Sequence, residues 1–278
     1  MTELPDLSSS HDLDPACVEQ FRRDGHVAVR GLASAAEVAA YRPAIEAATH
    51  EFAFDKRPLE ERDTYGKAFL QAANLWRRDQ TVRRFTLARR FAEVAARLLE
   101  VDGVRLYHDQ ALFKEAGGGR TPWHQDQHYW PLDTDRTITM WMPLVDVPPS
   151  IGTMTFVSGS HRLGYLGEYA ISDESDAAFA RMIDERGLTC DTHGALVAGD
   201  ATFHAGWILH SAPPNPTGTL RSVMTVIYYA DGTRVSDPVG AGQEFDLRAW
   251  LRGLGPGDLA ATDRNPLLFP SPEPSNGE

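Results

Sequence analysis

Residues 104–114 have the sequence VRLYHDQALFK, and residues 137–147 have the sequence TITMWMPLVDV. Both stretches are short and rich in the β-branched and aromatic residues that favour strands. Similar segments, each bounded by Gly, Pro or Asp, follow at residues 152–157, 195–197, 201–203, 207–210 and 221–229. Many short strands separated by turn residues are typical of a β-sandwich or barrel. The sequence therefore predicts a β core over about residues 103–235.

The first third of the chain carries helix signals instead. Asp14 is followed by proline, a pairing that predicts the start of a helix. Ser34 and Glu37 have the spacing of a capping box, ahead of an Ala-rich segment in which Pro43 should kink or break the helix. In residues 79–100, apolar side chains recur on one helical face. The predicted fold class is therefore α+β, mainly β, with N-terminal helices flanking the β core.

The 278 residues are predicted to form a single domain, with helices over about 14–100, the β core, and a flexible, Pro- and Ser-rich tail over about 265–278. The formal net charge of −12 at pH 7 disfavours binding to nucleic acid or to anionic lipid. The two cysteines lack the spacing of a zinc or redox site, and no apolar run could span a membrane. The chain begins without the features of a secretory signal. We therefore expect a soluble, cytoplasmic monomer or homodimer whose partner is a small molecule.

The stretch TPWHQDQHYW, residues 121–130, contains His124 and Asp126 two positions apart. On a strand, residues i and i+2 share a face, so we expect the two side chains to point to one spot. The pair alone is weak evidence, because a chain of this composition contains about one His-x-Asp by chance. Further along, His210 ends one apolar segment and Arg221 opens another.

Two histidines and one carboxylate, with other positions left open, form the facial triad of non-haem Fe(II) oxygenases. An arginine one strand away suits a bidentate contact with a carboxylate in a buried site, which an iron-chelating 2-oxo acid would need at its far end. The same ligand set also describes catalytic zinc. The residues by themselves leave open an Fe(II) oxygenase, a zinc-dependent hydrolase or isomerase, and a non-catalytic cupin-like binding protein.

Taken together, the motifs resemble those of the phytanoyl-CoA dioxygenase family. The resemblance covers about residues 14–235 and is carried by WHQD at 123–126, TMWMPL at 139–144, GTMTFVSGSHR at 152–162, His210 and Arg221. It implies a double-stranded β-helix core, the jelly-roll or cupin-like arrangement. It also implies a non-haem dioxygenase that uses Fe(II), the cosubstrate 2-oxoglutarate and O2.

Carried over residue by residue, the resemblance implies roles for individual side chains. The iron ligands would be His124, Asp126 and His210. Arg221 would bind the distal carboxylate of 2-oxoglutarate, and Gln110, Thr139 and Trp141 would line the cosubstrate. Relatives often have a small hydroxyl residue two positions after the distal histidine, where this chain has Ala212, and Ser211 is expected to replace it. Related halogenases lack the carboxylate ligand, so Asp126 makes halogenation improbable.

The sequence gives weaker evidence for the residues that would contact the substrate. His108 lies on the Gln110 strand, and His128 shares the face of the triad if its strand continues. An aromatic wall could include Trp76, Phe113 and Trp130. Each of these residues has a simpler interpretation as a core or surface side chain.

The resemblance implies that 2-oxoglutarate is decarboxylated to succinate and CO2 while the substrate is oxidised. Hydroxylation is the simplest outcome, and a different substrate pose would lead to epimerisation or ring closure. The aromatic residues near 121–130 favour a bulky, partly apolar small molecule. The Ala-, Arg-, Gly- and Asp-rich composition is typical of high-GC bacteria and favours a role in secondary metabolite biosynthesis.

Overall fold

The computed structural model describes residues 3–270. The helices are α1 (Pro15–Asp24), α2 (Ala35–Phe52), α3 (Thr64–Ala68), α4 (Gln80–Thr86), α5 (Arg89–Leu99), α6 (Asp173–Glu185) and α7 (Gly240–Trp250). The strands are β1 (His26–Val29), β2 (Leu70–Ala73), β3 (Val104–Phe113), β4 (Thr121–His124), β5 (Thr137–Pro143), β6 (Thr155–Val157), β7 (Cys190–Thr192), β8 (Ala201–Ala205), β9 (His210–Ala212), β10 (Val223–Ala230) and β11 (Leu267–Phe269).

The strands form two antiparallel sheets. The large sheet has the order β1-β8-β5-β10-β3-β11, and β2 also pairs with β3. The small sheet has the order β4-β9-β6-β7. Trp141 and Val223 of the large sheet pack with Phe156 and Ala212 of the small sheet in one buried cluster. Two antiparallel sheets that pack in this way form the predicted jelly-roll core, and the predicted fold class is confirmed.

Helices α1, α2, α4 and α5 share one buried core with a face of the large sheet. The predicted helix over 79–100 is two helices, because α4 ends at Thr86 and α5 begins at Arg89. Helix α2 begins at the predicted capping box and continues through Pro43 without a break. Its buried face, which includes Tyr41 and Ile45, packs into the core and outweighs the hydrogen bond that proline cannot donate. No helix within residues 3–270 is long and apolar enough to cross a membrane.

The predicted flexible tail begins as a paired strand. Leu267 and Phe269 of β11 pair with the first residues of β3. Asn265 is fully buried and donates to the carbonyl oxygens of Leu106 and Tyr107 at 3.1 and 3.3 Å. The described part of the predicted tail, residues 265–270, is therefore paired with the large sheet, while 271–278 lie outside the described residues. The organisation of the whole chain as one domain stays a prediction.

Candidate metal centre

Two paired strands of the small sheet bring the two predicted histidine ligands together. The register of β4 with β9 places His124 directly across from His210, and their ring centroids are 4.1 Å apart. Oδ1 of Asp126 lies 3.4 Å from Nε2 of His124 and 3.6 Å from Nε2 of His210. The ligand atoms of the three residues all lie within 4.8 Å of one another. This spacing fits the coordination sphere of one metal ion.

Both histidines present the same nitrogen to this spot. Nδ1 of His124 lies 2.8 Å from the carbonyl oxygen of Pro122, and Nδ1 of His210 lies 3.2 Å from that of Ile208. An Nδ1–H that donates to a carbonyl leaves Nε2 free as a metal ligand. Burial and the neighbouring His124 hold the pKa of His210 well below its usual value, so its ring is neutral. Two imidazoles and a carboxylate are a donor set that fits Fe(II).

The large sheet orients the carboxylate of Asp126. Its Oδ2 accepts a hydrogen bond from Oγ1 of Thr139 at 2.9 Å and lies 3.1 Å from Nε2 of His204. Thr139 and His204 are paired across β5 and β8. Burial disfavours ionisation, but the hydrogen bond from His204 and the other neighbouring histidines outweigh it and hold the pKa of Asp126 well below its usual range. The carboxylate is therefore ionised, with Oδ1 directed at the histidines.

The His-x-Asp motif does not lie on a single strand, contrary to the prediction. Strand β4 ends at His124, and a 3-10 turn begins at Asp126. The backbone N–H of Gln127 donates to the carbonyl oxygen of Gly206 at 3.0 Å. This contact holds the turn against the large sheet. The two side chains therefore converge through a strand end and a turn rather than through a shared strand face.

The three ligands open into a cavity of about 410 Å³. Two rows of side chains cross the large sheet at this cavity. Because alternate residues of a strand share a face, the pairing of β3, β10, β5 and β8 brings the members of each row side by side. One row consists of Gln110, Thr225 and Trp141, and the other of His108, Ile227, Thr139 and His204.

Arg221 is fully buried at the same cavity. Its Nη1 donates to the carbonyl oxygen of Gly152, while Nε and Nη2 have no hydrogen-bond partner within the described chain. The guanidinium lies 5.3 Å from the ring centroid of Trp141 and 5.6 Å from that of Phe69. Burial lowers the pKa of Arg221 to about 9, so the group is still charged at neutral pH. A buried cation with free donors fits the distal carboxylate of 2-oxoglutarate.

Lys114 is a second buried basic residue beside Arg221. The two residues exchange backbone hydrogen bonds of 3.0 Å. The Lys114 Nζ donates to the carbonyl oxygen of Gly119 at 2.5 Å and to Oγ1 of Thr121 at 3.3 Å. Burial and the charge of Arg221 lower the pKa of Lys114 to about 6. Lys114 is therefore mostly neutral at pH 7, and Arg221 carries the positive charge here.

The structure brings most of the predicted site residues to the cavity. The predicted cosubstrate residues that line it are Gln110, Thr139, Trp141, Ser211 and Arg221. Of the predicted substrate residues, His108 and Trp130 line it. Ala212 lines it too, directly across from Thr121. Thr121 thus places a hydroxyl opposite the position where relatives often carry one.

Three predicted substrate residues do not line the cavity. Trp76 and Phe113 lie in the core between the helices and the large sheet. Phe113 is three positions from Gln110 on β3, so it lies on the opposite face. His128 stacks on Tyr165, with ring centroids 6.1 Å apart. Of the predicted aromatic wall, Trp130 alone lies at the cavity, because Trp76 and Phe113 belong to the core. His128 does not line the cavity, because the strand ends at His124 and a turn follows.

The sequence reasoning missed most of the actual cavity wall. The residues concerned are Phe54, Tyr65, Phe69, Gln71, Leu112, Thr121, Tyr129, Met154, Ile171, His204, Thr225, Ile227, Phe245, Asp246 and Trp250. Three of them lie on α7, beyond the predicted β core, in a segment without a motif. His204 had a usable signal, since it follows a predicted strand and precedes His210 by six positions.

Comparison with known proteins identifies the family. The family model described as phytanoyl-CoA dioxygenase matches residues 21–223, which is more than half of the chain. The chain belongs to the phytanoyl-CoA dioxygenase family. One curated relative is the probable alpha-ketoglutarate-dependent hypophosphite dioxygenase of Stutzerimonas stutzeri, which is 27% identical over 133 residues. That match covers 46% of each protein, so the chain spans about half the length of this curated relative.

Solved structures agree with the family assignment. The epimerase SnoN from nogalamycin biosynthesis, in complex with Fe3+, alpha ketoglutarate and nogalamycin RO, is 31% identical with a TM-score of 0.73, covering 92% of this chain and all of SnoN. The carbocyclase SnoK is 26% identical, with a TM-score of 0.73 and coverage of 92% and 96%. EctD from S. alaskensis, 21% identical with a TM-score of 0.65 and coverage of 86% and 85%, shares the fold.

The phytanoyl-CoA dioxygenase family membership confirms three predictions. The predicted family is confirmed by the family model. The enzyme class, an iron- and 2-oxoglutarate-dependent dioxygenase, agrees with the family description, with the name of the curated relative and with the Fe3+ and alpha ketoglutarate bound to SnoN. The cofactors Fe(II), 2-oxoglutarate and O2 agree with the His-Asp-His triad and with the ligands bound to SnoN.

The hydrogen bond from Thr139 to Asp126 predicts a measurable effect on metal affinity. Thr139→Val keeps the shape of the side chain but removes the donor to Oδ2, so the carboxylate is less firmly oriented. We expect Fe(II) to bind about 10-fold more weakly, as for other groups that orient a metal ligand. Anaerobic Fe(II) titration measures the change. The matched control is Thr202→Val on β8, since Oγ1 of Thr202 is buried without a partner among residues 3–270 and its loss should leave affinity unchanged. Equal effects of both variants would refute the orienting role.

Proposed function

We propose that this protein is an Fe(II)- and 2-oxoglutarate-dependent dioxygenase that hydroxylates a bulky, partly apolar small molecule in bacterial secondary metabolism. One observation carries the proposal. The His-Asp-His triad lines the same cavity of about 410 Å³ as buried Arg221, whose Nε and Nη2 have no partner within residues 3–270. A cavity of this size holds a cosubstrate and part of a second molecule.

The chain's own residues would hold and orient the reactants. His124, Asp126 and His210 would hold the iron through Nε2, Oδ1 and Nε2. Nε and Nη2 of Arg221 would donate to the distal carboxylate of 2-oxoglutarate, with Trp141 packed against the guanidinium. When bound, iron with 2-oxoglutarate and O2 supplies the oxidation of a C–H bond and releases succinate and CO2. Protein residues set the position of the substrate, and that position decides the product.

The walls of the cavity and the relatives support the substrate class. The aromatic residues on the walls are Phe54, Tyr65, Phe69, Tyr129, Trp130, Trp141, Phe245 and Trp250. Large, mostly apolar walls favour a bulky substrate. SnoN and SnoK are described as an epimerase and a carbocyclase from nogalamycin biosynthesis. Epimerisation and ring closure are therefore the alternative outcomes of the same site.

The other two functions that the residues left open have less support. A zinc hydrolase or isomerase does not require a buried arginine with free donors, whereas a 2-oxoglutarate enzyme needs one for the distal carboxylate. A silent binding protein does not require an oriented metal ligand set. None of the comparisons favours either function. A monomeric or homodimeric state and a cytoplasmic location stay predictions.

Anaerobic titration tests the proposed function directly. Fe(II) added to the iron-free protein with 2-oxoglutarate should produce the weak visible charge-transfer band of a bidentate iron chelate. His124→Ala should abolish the band, because one of three ligands is lost. The matched control is His50→Ala, a substitution at an exposed histidine of α2 that should keep the band. On admission of O2, the wild type should form succinate.

Two results of this titration would contradict the proposed function. No band in the wild type, together with zinc that remains bound through purification, would favour the zinc enzyme. A band without succinate formation would favour a protein that binds its ligands but does not turn over.

A further inference from the structure

One buried acid at the cavity has no role in holding iron or 2-oxoglutarate. Asp246, on α7, lines the cavity and is 6% exposed. Its Oδ2 accepts a hydrogen bond from the hydroxyl of Tyr107 at 2.9 Å, and the side chain of Trp250 also stabilises the carboxylate. The metal-ligand group is formed by other residues. Asp246 is therefore a carboxylate available to the second molecule in the cavity.

No positive side chain of residues 3–270 balances the charge of Asp246. The groups that act on it are the burial itself, Tyr107 and Trp250, and none of these is cationic. His108 packs on Trp250 with ring centroids 5.0 Å apart. Burial lowers the pKa of His108 to about 4, so this ring is neutral at pH 7. A buried carboxylate without a counter-ion is costly, and a cation on the ligand would remove that cost.

Aromatic side chains of the same cavity lie around this carboxylate. On α7, Phe245 comes directly before Asp246, and Trp250 comes four residues after it. The ring centroids of Phe245 and Trp250 are 6.3 Å apart. Tyr107, the donor to Asp246, packs on Trp130 with a centroid distance of 5.5 Å. Phe245, Trp250 and Trp130 all line the cavity. Ring faces attract alkylammonium groups, most strongly where water is excluded, as at Trp130, which is 5% exposed; Phe245 is 57% exposed.

We propose that Asp246 and the rings of Trp130, Phe245 and Trp250 form a subsite for a protonated alkylamine group of the substrate. This inference rests on the proposed function, because it names the substrate class of the same cavity. The carboxylate supplies the opposite charge, and the rings supply the apolar surface that an N-alkyl group prefers. A neutral hydroxyl would leave the carboxylate without a counter-ion. The net charge of −12 adds a general attraction for cations.

The titration behaviour of Asp246 agrees with this assignment. Burial raises its pKa to about 7, although Tyr107 and Trp250 favour the charged form. Without a ligand the carboxyl is thus divided between its two forms near neutral pH. A bound ammonium ion would favour the ionised form.

Two small probes of similar shape and different charge test the subsite. N,N-dimethylbenzylamine is protonated at neutral pH, and N,N-dimethylbenzamide is neutral and accepts hydrogen bonds. Each is titrated into the full chain under anaerobic conditions with Fe(II) and 2-oxoglutarate bound, so that the metal engages Asp126. Tryptophan fluorescence reports binding, because three tryptophans line the cavity. The amine should bind at least about 10-fold more tightly than the amide.

Asp246→Asn keeps the size of the side chain and removes its charge. It should weaken amine binding about 10-fold or more and change amide binding less than about twofold. The matched control is Glu244→Gln, an exposed acid on the same helix, which should change neither. If Asp246→Asn fails to fold, as judged by circular dichroism, the comparison of amine and amide binding by the wild type still tests the subsite.

Two outcomes overturn the subsite. In one, the wild type binds the amide as tightly as the amine; in the other, Asp246→Asn weakens both probes alike, which would mean that the carboxyl only supports the wall. The charge-transfer band of Fe(II) and 2-oxoglutarate, recorded in the same samples, separates this result from the proposed function. Its absence would refute the oxygenase, whereas its presence without amine preference would refute the subsite alone.

Discussion

Replacing Arg221 with alanine should raise the concentration of 2-oxoglutarate needed for half-maximal succinate formation by about 100-fold or more. The loss of one partner of a buried charge pair costs several kcal/mol, about 2–5. The donors that would be lost are Nε and Nη2 of Arg221, which have no partner in the described part of the chain. Because the arginine is not a metal ligand, Fe(II) affinity should change little. Titration of 2-oxoglutarate against succinate formation, beside anaerobic Fe(II) titration, separates the two effects.

Two further variants make the Arg221 result specific. Arg221→Lys keeps the charge but not the planar fork of donors, so its requirement for 2-oxoglutarate should lie between wild type and Arg221→Ala. Arg181→Ala removes an exposed arginine of α6 and should have no effect. If Arg221→Ala lost iron and 2-oxoglutarate affinity in equal measure, the assigned contact would be wrong, and the residue would be supporting the fold.

Replacing Asp126 with asparagine should weaken Fe(II) binding by at least about 100-fold and abolish detectable succinate formation. Asp126 is the anionic member of the ligand set, and asparagine has nearly the same shape without the charge. Two histidines without an anionic ligand cannot by themselves compensate for the desolvation of a divalent cation. Fe(II) titration followed by the charge-transfer band measures the loss.

The Asp126 variant is compared with two others. Asp133→Asn, at an exposed position, should behave like wild type. Thr139→Val, which removes a hydrogen bond to the same carboxylate, should lie between Asp133→Asn and Asp126→Asn. Fe(II) binding and succinate formation at wild-type levels in Asp126→Asn would refute the facial triad.

The ends of the elements show where sequence reasoning was reliable. The cap at Asp14 and the capping box at Ser34 and Glu37 start helices as predicted, because caps depend on residues close in the chain. The strands at 104–114 and 137–147 were also predicted, because their β-branched and aromatic residues are a local property. The break at Thr86 and the strand β11 were not predicted. Both depend on the surface against which the segment packs.

The candidate metal centre also has features that the sequence predicts and features that it does not. The sequence by itself determined which side chains can ligate iron and bind a carboxylate, because residue type and the spacing of His124, Asp126, His210 and Arg221 are properties of the chain. Only the tertiary structure decided how they meet. The register of β4 with β9 sets His124 across from His210, and a turn returns Asp126 to them.

The tertiary structure also decided which other residues share the cavity. His204 reaches Asp126, and α7 brings Asp246 to the cavity wall, although neither contact has a sequence signature. Conversely, Trp76 and Phe113 lie in the core despite their suitable residue type. The physical reason is that ligand chemistry belongs to the single side chain, whereas a cavity is the space left between elements far apart in sequence, and its walls depend on how they pack.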